Sequence, residues 1–174
     1  MHLDSLRSVV LNRITPQSLI IQYAGNIGMF SIGARYESPN QKWQGSLHYG
    51  HVPASFADKA IHSTTIKVNY IPIRKVITND VNVDWLKIGL WSNYAYGKQY
   101  FRKLPAYYDS GYYYFPTAVN IGLTFGSEIK RNKWGFYYEV GTTEKTVINF
   151  VKSPHASDFL QLWNIGLGIS YQLK

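Results

Sequence analysis

The sequence predicts an all-β protein that closes as an antiparallel up-and-down barrel of about eight strands. Three observations point to this fold: long segments alternate apolar and polar residues, short and long connections alternate, and no apolar run reaches the ~18 residues of a membrane-spanning helix. The 174 residues suffice for one domain with a core of its own. Because the chain contains no cysteine, disulfide frameworks and thiol-based metal or catalytic sites are excluded.

Alternation is clearest in three segments, residues 119–129, 134–140 and 163–173. In each, a large apolar or aromatic side chain occupies every second position, and the positions between them are mostly Gly, Ser, Thr, Asn or Glu. Successive residues of a strand point to opposite faces, so this pattern predicts strands with one apolar and one polar face. Less regular strands are predicted at about 18–25, 28–37, 43–52, 62–74 and 85–97.

The connections between these strands differ in length. Short turns are predicted at 38–41, around 79–80 and at 130–133, and a compact turn at 25–26. Longer connections follow at 53–60, 100–117 and 152–159. Barrels that span an outer membrane have this arrangement, with short periplasmic turns and longer outer loops.

The first residues stand apart from the alternating region. Leu3, Leu6 and Val10 fall at helical spacing, and Pro16 ends the pattern. We therefore divide the chain into an N-terminal arm or short helix, residues 1–16, and a barrel, residues 17–174. A poorly ordered tail is the alternative for the arm.

The composition of the two faces favours a transmembrane barrel over a soluble, lipocalin-like one. A soluble barrel lines its interior with apolar residues and turns charges outward. Here the polar face is rich in small residues and poor in charge, which suits a narrow lumen, while Trp and Tyr lie near strand ends, as at membrane interfaces. No secretory signal peptide precedes the first strand, so we expect that a leader has been removed.

The inward face collects six ionisable side chains when parity is counted along the predicted strands. They are Arg35, His48, Lys67, Lys87, Glu128 and Glu139. Buried charges must pair, and an eight-stranded barrel is about wide enough for its side chains to fill it. We therefore predict an ion-paired, filled lumen; a proton or ion path through the lumen is the alternative.

Five segments carry a resemblance to a known group of proteins. They are HYGHVP (48–53), HSTTIKVNYIPIR (62–74), YYYFPTAVNIG (112–122), YYEVGTT (137–143) and LWNIGLGISYQL (162–173). In residue pattern and strand order, residues 17–174 resemble the small outer-membrane β-barrel proteins of Bacteroidota-type Gram-negative bacteria. The resemblance implies a location in the bacterial outer membrane, in contact with its lipids and lipopolysaccharide.

One catalytic alternative comes from a second resemblance. His155 and Ser157 are similar in spacing to the His-x-Ser pair of outer-membrane lipid A deacylases, which are also eight-stranded. A histidine can deprotonate a serine for attack on an ester when a third group orients it. Here Gln161 and Asn164 stand where the carboxylate of the last strand would be wanted.

No cofactor or metal is predicted for this chain. His51 and His62 can approach each other across a hairpin, but two histidines without a carboxylate are a weak metal signal. The net charge of +8 does not indicate nucleic-acid binding, because the basic residues are scattered rather than gathered on one face.

The most unusual segment is the tyrosine-rich connection 100–117. Tyrosine suits both recognition surfaces and the interfacial aromatic belt of a membrane protein, and both interpretations stay open. The residues predicted to form a contact surface there are Arg102, Lys103, Tyr107, Tyr108 and Tyr112. We accordingly expect a non-enzymatic outer-membrane barrel that acts as a structural or interaction subunit, with other outer-membrane proteins as candidate partners.

Overall fold

The computed structural model of the chain describes residues 15–97, 100, 117–152 and 159–173. Its strands are β1 (Ser18–Ala24), β2 (Phe30–Glu37), β3 (Trp43–Val52), β4 (Ile61–Thr78), β5 (Val81–Tyr96), β6 (Val119–Arg131), β7 (Trp134–Thr143) and β8 (Asn164–Gln172). Each strand pairs antiparallel with the next along the chain, and β1 pairs with β8 to close the barrel. The predicted eight-stranded antiparallel up-and-down barrel is thereby confirmed.

The two ends of the barrel differ as the connection lengths predict. We call the end that carries Ser18 and Gln172 the terminal end; its turns are residues 38–42, 79–80 and 132–133. The opposite end, the loop end, carries the connections from β1 to β2, β3 to β4, β5 to β6 and β7 to β8. In the turn from β6 to β7, Asn132 has a φ of 53°, a left-handed conformation that asparagine tolerates better than most residues.

Strands β4 and β5 continue past their neighbours at the terminal end. The pairing of β3 with β4 ends at Trp43 and Tyr70, whereas β4 runs on to Thr78 beside β5. Irregular register between Tyr70 and Ile73, and between Asp84 and Lys87, marks this extension. Such bulges change which side chains point inward, so simple parity counting fails beyond them.

The connection from β7 to β8 contains helix α1 (Glu144–Lys152) and a 3-10 helix (Phe159–Leu162), neither of which the alternation predicts. Thr143 caps α1, because its Oγ1 accepts a hydrogen bond from the Thr146 N–H at 3.2 Å. Glu144 in the first turn and Lys152 in the last turn complement the helix dipole.

The last strand begins one residue later than predicted. The alternation predicts that Trp163 belongs to its outward face, but Trp163 precedes β8 and its N–H donates to the Leu160 carbonyl at 3.2 Å. The 3-10 turn therefore takes this residue out of the sheet.

Within the described residues, no helix is both long enough and apolar enough to cross a membrane.

Candidate functional site: the lumen and the outer wall

The lumen of the barrel is polar. Arg35, His48, Lys67, Lys87, Glu128 and Glu139, the six side chains selected by parity, all lie on the inner face and are at most 9% exposed. Each comes from the buried half of an alternating strand, so backbone geometry alone directs it inward. The structure arranges five of them in ion pairs.

Glu128 on β6 joins two cations from opposite sides of the barrel. One of its carboxylate oxygens accepts a hydrogen bond from Arg35 Nη1 and the other from Lys87 Nζ, each at 2.7 Å. The Ser170 hydroxyl on β8 adds a third bond at 2.8 Å. With its lone pairs engaged in this way, the carboxylate can remain charged although its side chain is fully buried.

Glu139 on β7 forms a second pair closer to the loop end. Lys67 Nζ donates to it at 2.7 Å and Gln22 Nε2 at 2.8 Å. Tyr137 connects the two groups, because its hydroxyl donates to Gln22 Oε1 at 3.0 Å while its ring faces Lys87 Nζ at 5.2 Å. The lumen charges therefore form one continuous polar network.

His48 lies in the lumen but takes no part in these ion pairs. Its Nε2 and the Ser46 Oγ are 3.0 Å apart. Opposite His48 in the register stands Gly33, whose missing side chain leaves room for the imidazole ring. His48 is thus a polar side chain packed inside the lumen. Among the described residues, no carboxylate forms an ion pair with it.

A third ionic group, which the alternation did not predict, lies at the terminal end of the lumen. Arg74 binds Asp84 and, at 2.6 Å, Glu37; Lys130 lies 3.3 Å from Asp84. Glu37 and Lys130 share the parity of Arg35 and Glu128 and could have been found by extending the count. Arg74 and Asp84 could not, because register shifts separate both of them from the regular parts of β4 and β5.

At the loop end, the turn from β1 to β2 folds into the mouth of the barrel. Ile27 in this turn is 1% exposed, and its carbonyl accepts a hydrogen bond from the Ser63 hydroxyl at 3.2 Å. Gly50 on β3 permits the approach, since a Cβ there would overlap the Ile27 carbonyl oxygen. The turn therefore covers part of the loop-end opening.

Little empty space lies beside the Glu139 pair. A cavity of about 10 Å³ bordered by Asn69, Lys87 and Tyr137 has room for one water molecule. In the part of the chain that the structure covers, ionic groups therefore lie at three levels of the lumen, and the turn from β1 to β2 covers part of its loop-end opening.

The outer wall has the opposite character. Leu47 and Ile66 form a cross-strand pair in the middle of the wall and are 51% and 61% exposed. Aromatic pairs border this aliphatic zone: Trp43 with Tyr70 and Trp134 with Tyr171 toward the terminal end, and Tyr23 with Phe30 toward the loop end, with ring centroids 4.8, 4.9 and 5.3 Å apart. Along β3, the segment between the aromatic residues Trp43 and Tyr49 is about 20 Å long, at a rise of ~3.3 Å per residue.

The two histidines of the β3–β4 hairpin do meet. His51 and His62 are cross-strand partners with ring centroids 4.7 Å apart, and Tyr49 Oη lies 2.7 Å from His62 Nδ1. Among the described residues, no group of three or more His, Asp or Glu side chains has the spacing of a metal site. The pair therefore completes no metal-binding set within this part of the chain.

Two predicted sites fall outside the described residues. They are the contact surface of Arg102, Lys103, Tyr107, Tyr108 and Tyr112 and the alternative catalytic pair of His155 and Ser157. Residues 1–14 of the N-terminal arm are also outside this range.

These observations define the class of the protein: a closed eight-stranded β-barrel with a polar, ion-paired interior and an apolar outer wall bordered by aromatic rings. Comparison with protein-family models, curated proteins and solved structures gives no match to this chain.

Proposed function

We propose that this protein is a bacterial outer-membrane barrel that acts without catalysis, as a structural or interaction subunit. The observation that supports this most is the inverted distribution of polarity, with charges inside and large apolar side chains outside. Water-soluble proteins rarely expose contiguous apolar patches larger than a few hundred Å². In a bilayer the same wall is favourable, and closure of the sheet satisfies the backbone hydrogen bonds that hydrocarbon cannot.

The lumen supports a structural role rather than transport. The carboxylates of Glu128 and Glu139 are each held by cations and by further hydrogen-bond donors. Charges that are already paired in this way bind an ion in the lumen only weakly. We therefore propose that other molecules bind the outer surfaces of the barrel, and that these partners are lipids, the phosphates of lipopolysaccharide and other outer-membrane proteins.

A pair of substitutions on β4 tests the membrane location. Ile66 lies in the middle of the aliphatic zone, whereas Val76 lies on the extension beyond Tyr70 and is 71% exposed. We expect Ile66→Arg to lower the free energy of unfolding in lipid vesicles by about 2–4 kcal/mol, because an arginine near the bilayer midplane loses its hydration. Val76→Arg, outside the hydrocarbon, should cost about 0–1 kcal/mol.

The readout is the urea midpoint of each variant in vesicles, with the electrophoretic shift of the folded barrel as the check on structure. Both residues are exposed and apolar, so a water-soluble barrel would tolerate both arginines equally. Equal midpoints for the two variants would contradict the membrane location.

The interaction role requires a separate test. The tagged protein is purified from mildly solubilised native membranes, with another eight-stranded barrel from the same membranes as the control. We expect specific enrichment of at least one outer-membrane component, reduced by replacement of Tyr107 and Tyr108 with Ser. If nothing is enriched over the control barrel, the protein is not a stable subunit of a complex.

A further inference from the structure

Helix α1 lies against the outside of the barrel. Thr142 shares the outward-facing parity of Phe136 and Tyr138, which are 56% and 52% exposed, yet Thr142 is only 8% exposed. The difference arises because the chain leaves β7 at Thr143 and α1 turns back over the wall of β6 and β7. The Glu144 carboxylate fixes this position by accepting a hydrogen bond from the Ile121 N–H of β6 at 2.7 Å.

Between α1 and the wall runs an apolar groove of about 300 Å³. Leu90, Ile121 and Leu123 form its floor on the barrel, and Val147 and Ile148 form its side on α1. This volume is at the lower end of the range for small-molecule pockets, ~300–1,000 Å³. A groove of this size and character suits a hydrocarbon chain better than a polar ligand.

The groove is continuous with apolar surface on both sides. Leu90 and Leu123 belong to the exposed wall, and α1 adds Val151, which is 72% exposed. The adjoining 3-10 helix adds Phe159 and Leu160, which are 62% and 81% exposed. An amphipathic helix with such a face lies in the interface plane of a membrane, with its apolar side toward the acyl chains.

Thr142 contributes a polar side chain to the lining of the groove. Its hydroxyl is buried and has no hydrogen-bond partner among the described residues. A buried hydroxyl without a partner beside an apolar groove complements an ester group joined to a hydrocarbon chain.

We propose that this groove binds one acyl chain of an ester-linked membrane lipid, with an ester carbonyl within reach of the Thr142 hydroxyl. The inference rests on the proposed membrane location and adds to it a specific lipid site. Elsewhere on the wall, lipids meet a convex surface and exchange freely. In the groove, contact on both sides retains the chain.

The test uses the full-length protein in vesicles of phosphatidylethanolamine and phosphatidylglycerol. A small fraction of the phosphatidylglycerol carries a photoactivatable diazirine within the acyl chain. After illumination, mass spectrometry of peptides compares adducts at Leu123 and Val147 with adducts at Ile66, a wall position of similar or greater exposure. We expect severalfold more labelling at the two groove positions than at Ile66.

The outcomes separate this inference from the proposal on which it rests. Equal labelling at Ile66 and in the groove would overturn the lipid site but leave the membrane location intact. No labelling at any of the three positions would overturn the membrane location and the lipid site with it.

Two tryptophan variants of α1 provide a matched control. Val147→Trp fills the groove, whereas Val151→Trp adds the same bulk on the same helix at a position that does not line the groove. Provided that both variants keep the electrophoretic shift of the folded barrel, we expect only Val147→Trp to reduce labelling at Leu123 to the level of Ile66. Persistence of the excess at Leu123 in that variant would also overturn the lipid site.

Discussion

Glu128 shows how a single buried carboxylate can organise a lumen. Replacing it by Gln keeps its shape but leaves Arg35 and Lys87 facing a neutral amide instead of their counter-ion. We expect Glu128→Gln to lower the free energy of unfolding by about 3–5 kcal/mol, because breaking one member of a buried pair leaves an uncompensated charge. Urea titration in detergent micelles measures this loss.

The control for this prediction removes one of the cations as well. Glu128→Gln combined with Lys87→Met also removes the uncompensated charge of Lys87. The double variant should therefore be more stable than the sum of the two single losses predicts. Additive losses would show that Glu128 and Lys87 do not interact energetically.

Counting every second residue identifies the inward-facing side chains only while a strand stays regular. It selected Arg35, Lys67 and Glu139 because the strands around them are regular, and the structure places them on the inner face. It could not select Asp84, which is fully buried, since the register shift before Lys87 places residues of opposite parity on the same face. A bulge adds a residue without any change in composition, so alternation cannot reveal it.

At the scale of the elements, the turn from β1 to β2 depends on one close approach. In Gly50→Ala the new methyl group would overlap the Ile27 carbonyl oxygen, so the turn or the strand must shift. We expect a loss of about 1–3 kcal/mol in the free energy of unfolding, typical of overpacking. Gly45→Ala on the same strand is the control, because a Cβ there meets nothing within 4 Å.

The same denaturation assay compares the two alanine variants. Gly45→Ala should be neutral or slightly stabilising, since alanine loses less backbone entropy than glycine on folding. Similar urea midpoints for both variants would show that the turn can leave the mouth of the barrel at little cost.

Strands were easier to predict from the sequence than helix α1. A strand with one apolar face carries its own signal in every second residue, and all eight strands were placed within a few residues. The stretch Thr146–Val151 contains four β-branched residues, which favour strands, so local propensity opposes the helix that forms. The Thr143 cap and the packing of Val147 and Ile148 against the wall outweigh that propensity.

At the scale of the whole molecule, the ion pairs of the lumen lead to a prediction about transport. The ionic groups around Glu128 and Glu139 cross the barrel between strands that are far apart in the sheet. An ion crossing the membrane through the lumen would have to displace these pairs, at a cost of several kcal/mol each. We expect the purified protein to show no steady conductance in planar bilayers; a stable, ion-selective current would contradict this prediction.

The ion pairs of the lumen also bear on the time course of folding. Arg35 and Glu128 are 93 residues apart in sequence, and Lys67 and Glu139 are 72 apart, so neither pair can form until the sheet has curled upon itself. Until then these side chains stay hydrated, and the pairs are late events on the pathway. Stopped-flow measurements should therefore find that Glu128→Gln accelerates unfolding far more than it slows folding. On this account, the charges at the centre of the barrel act as a latch that determines how long the closed sheet lasts rather than how quickly it assembles.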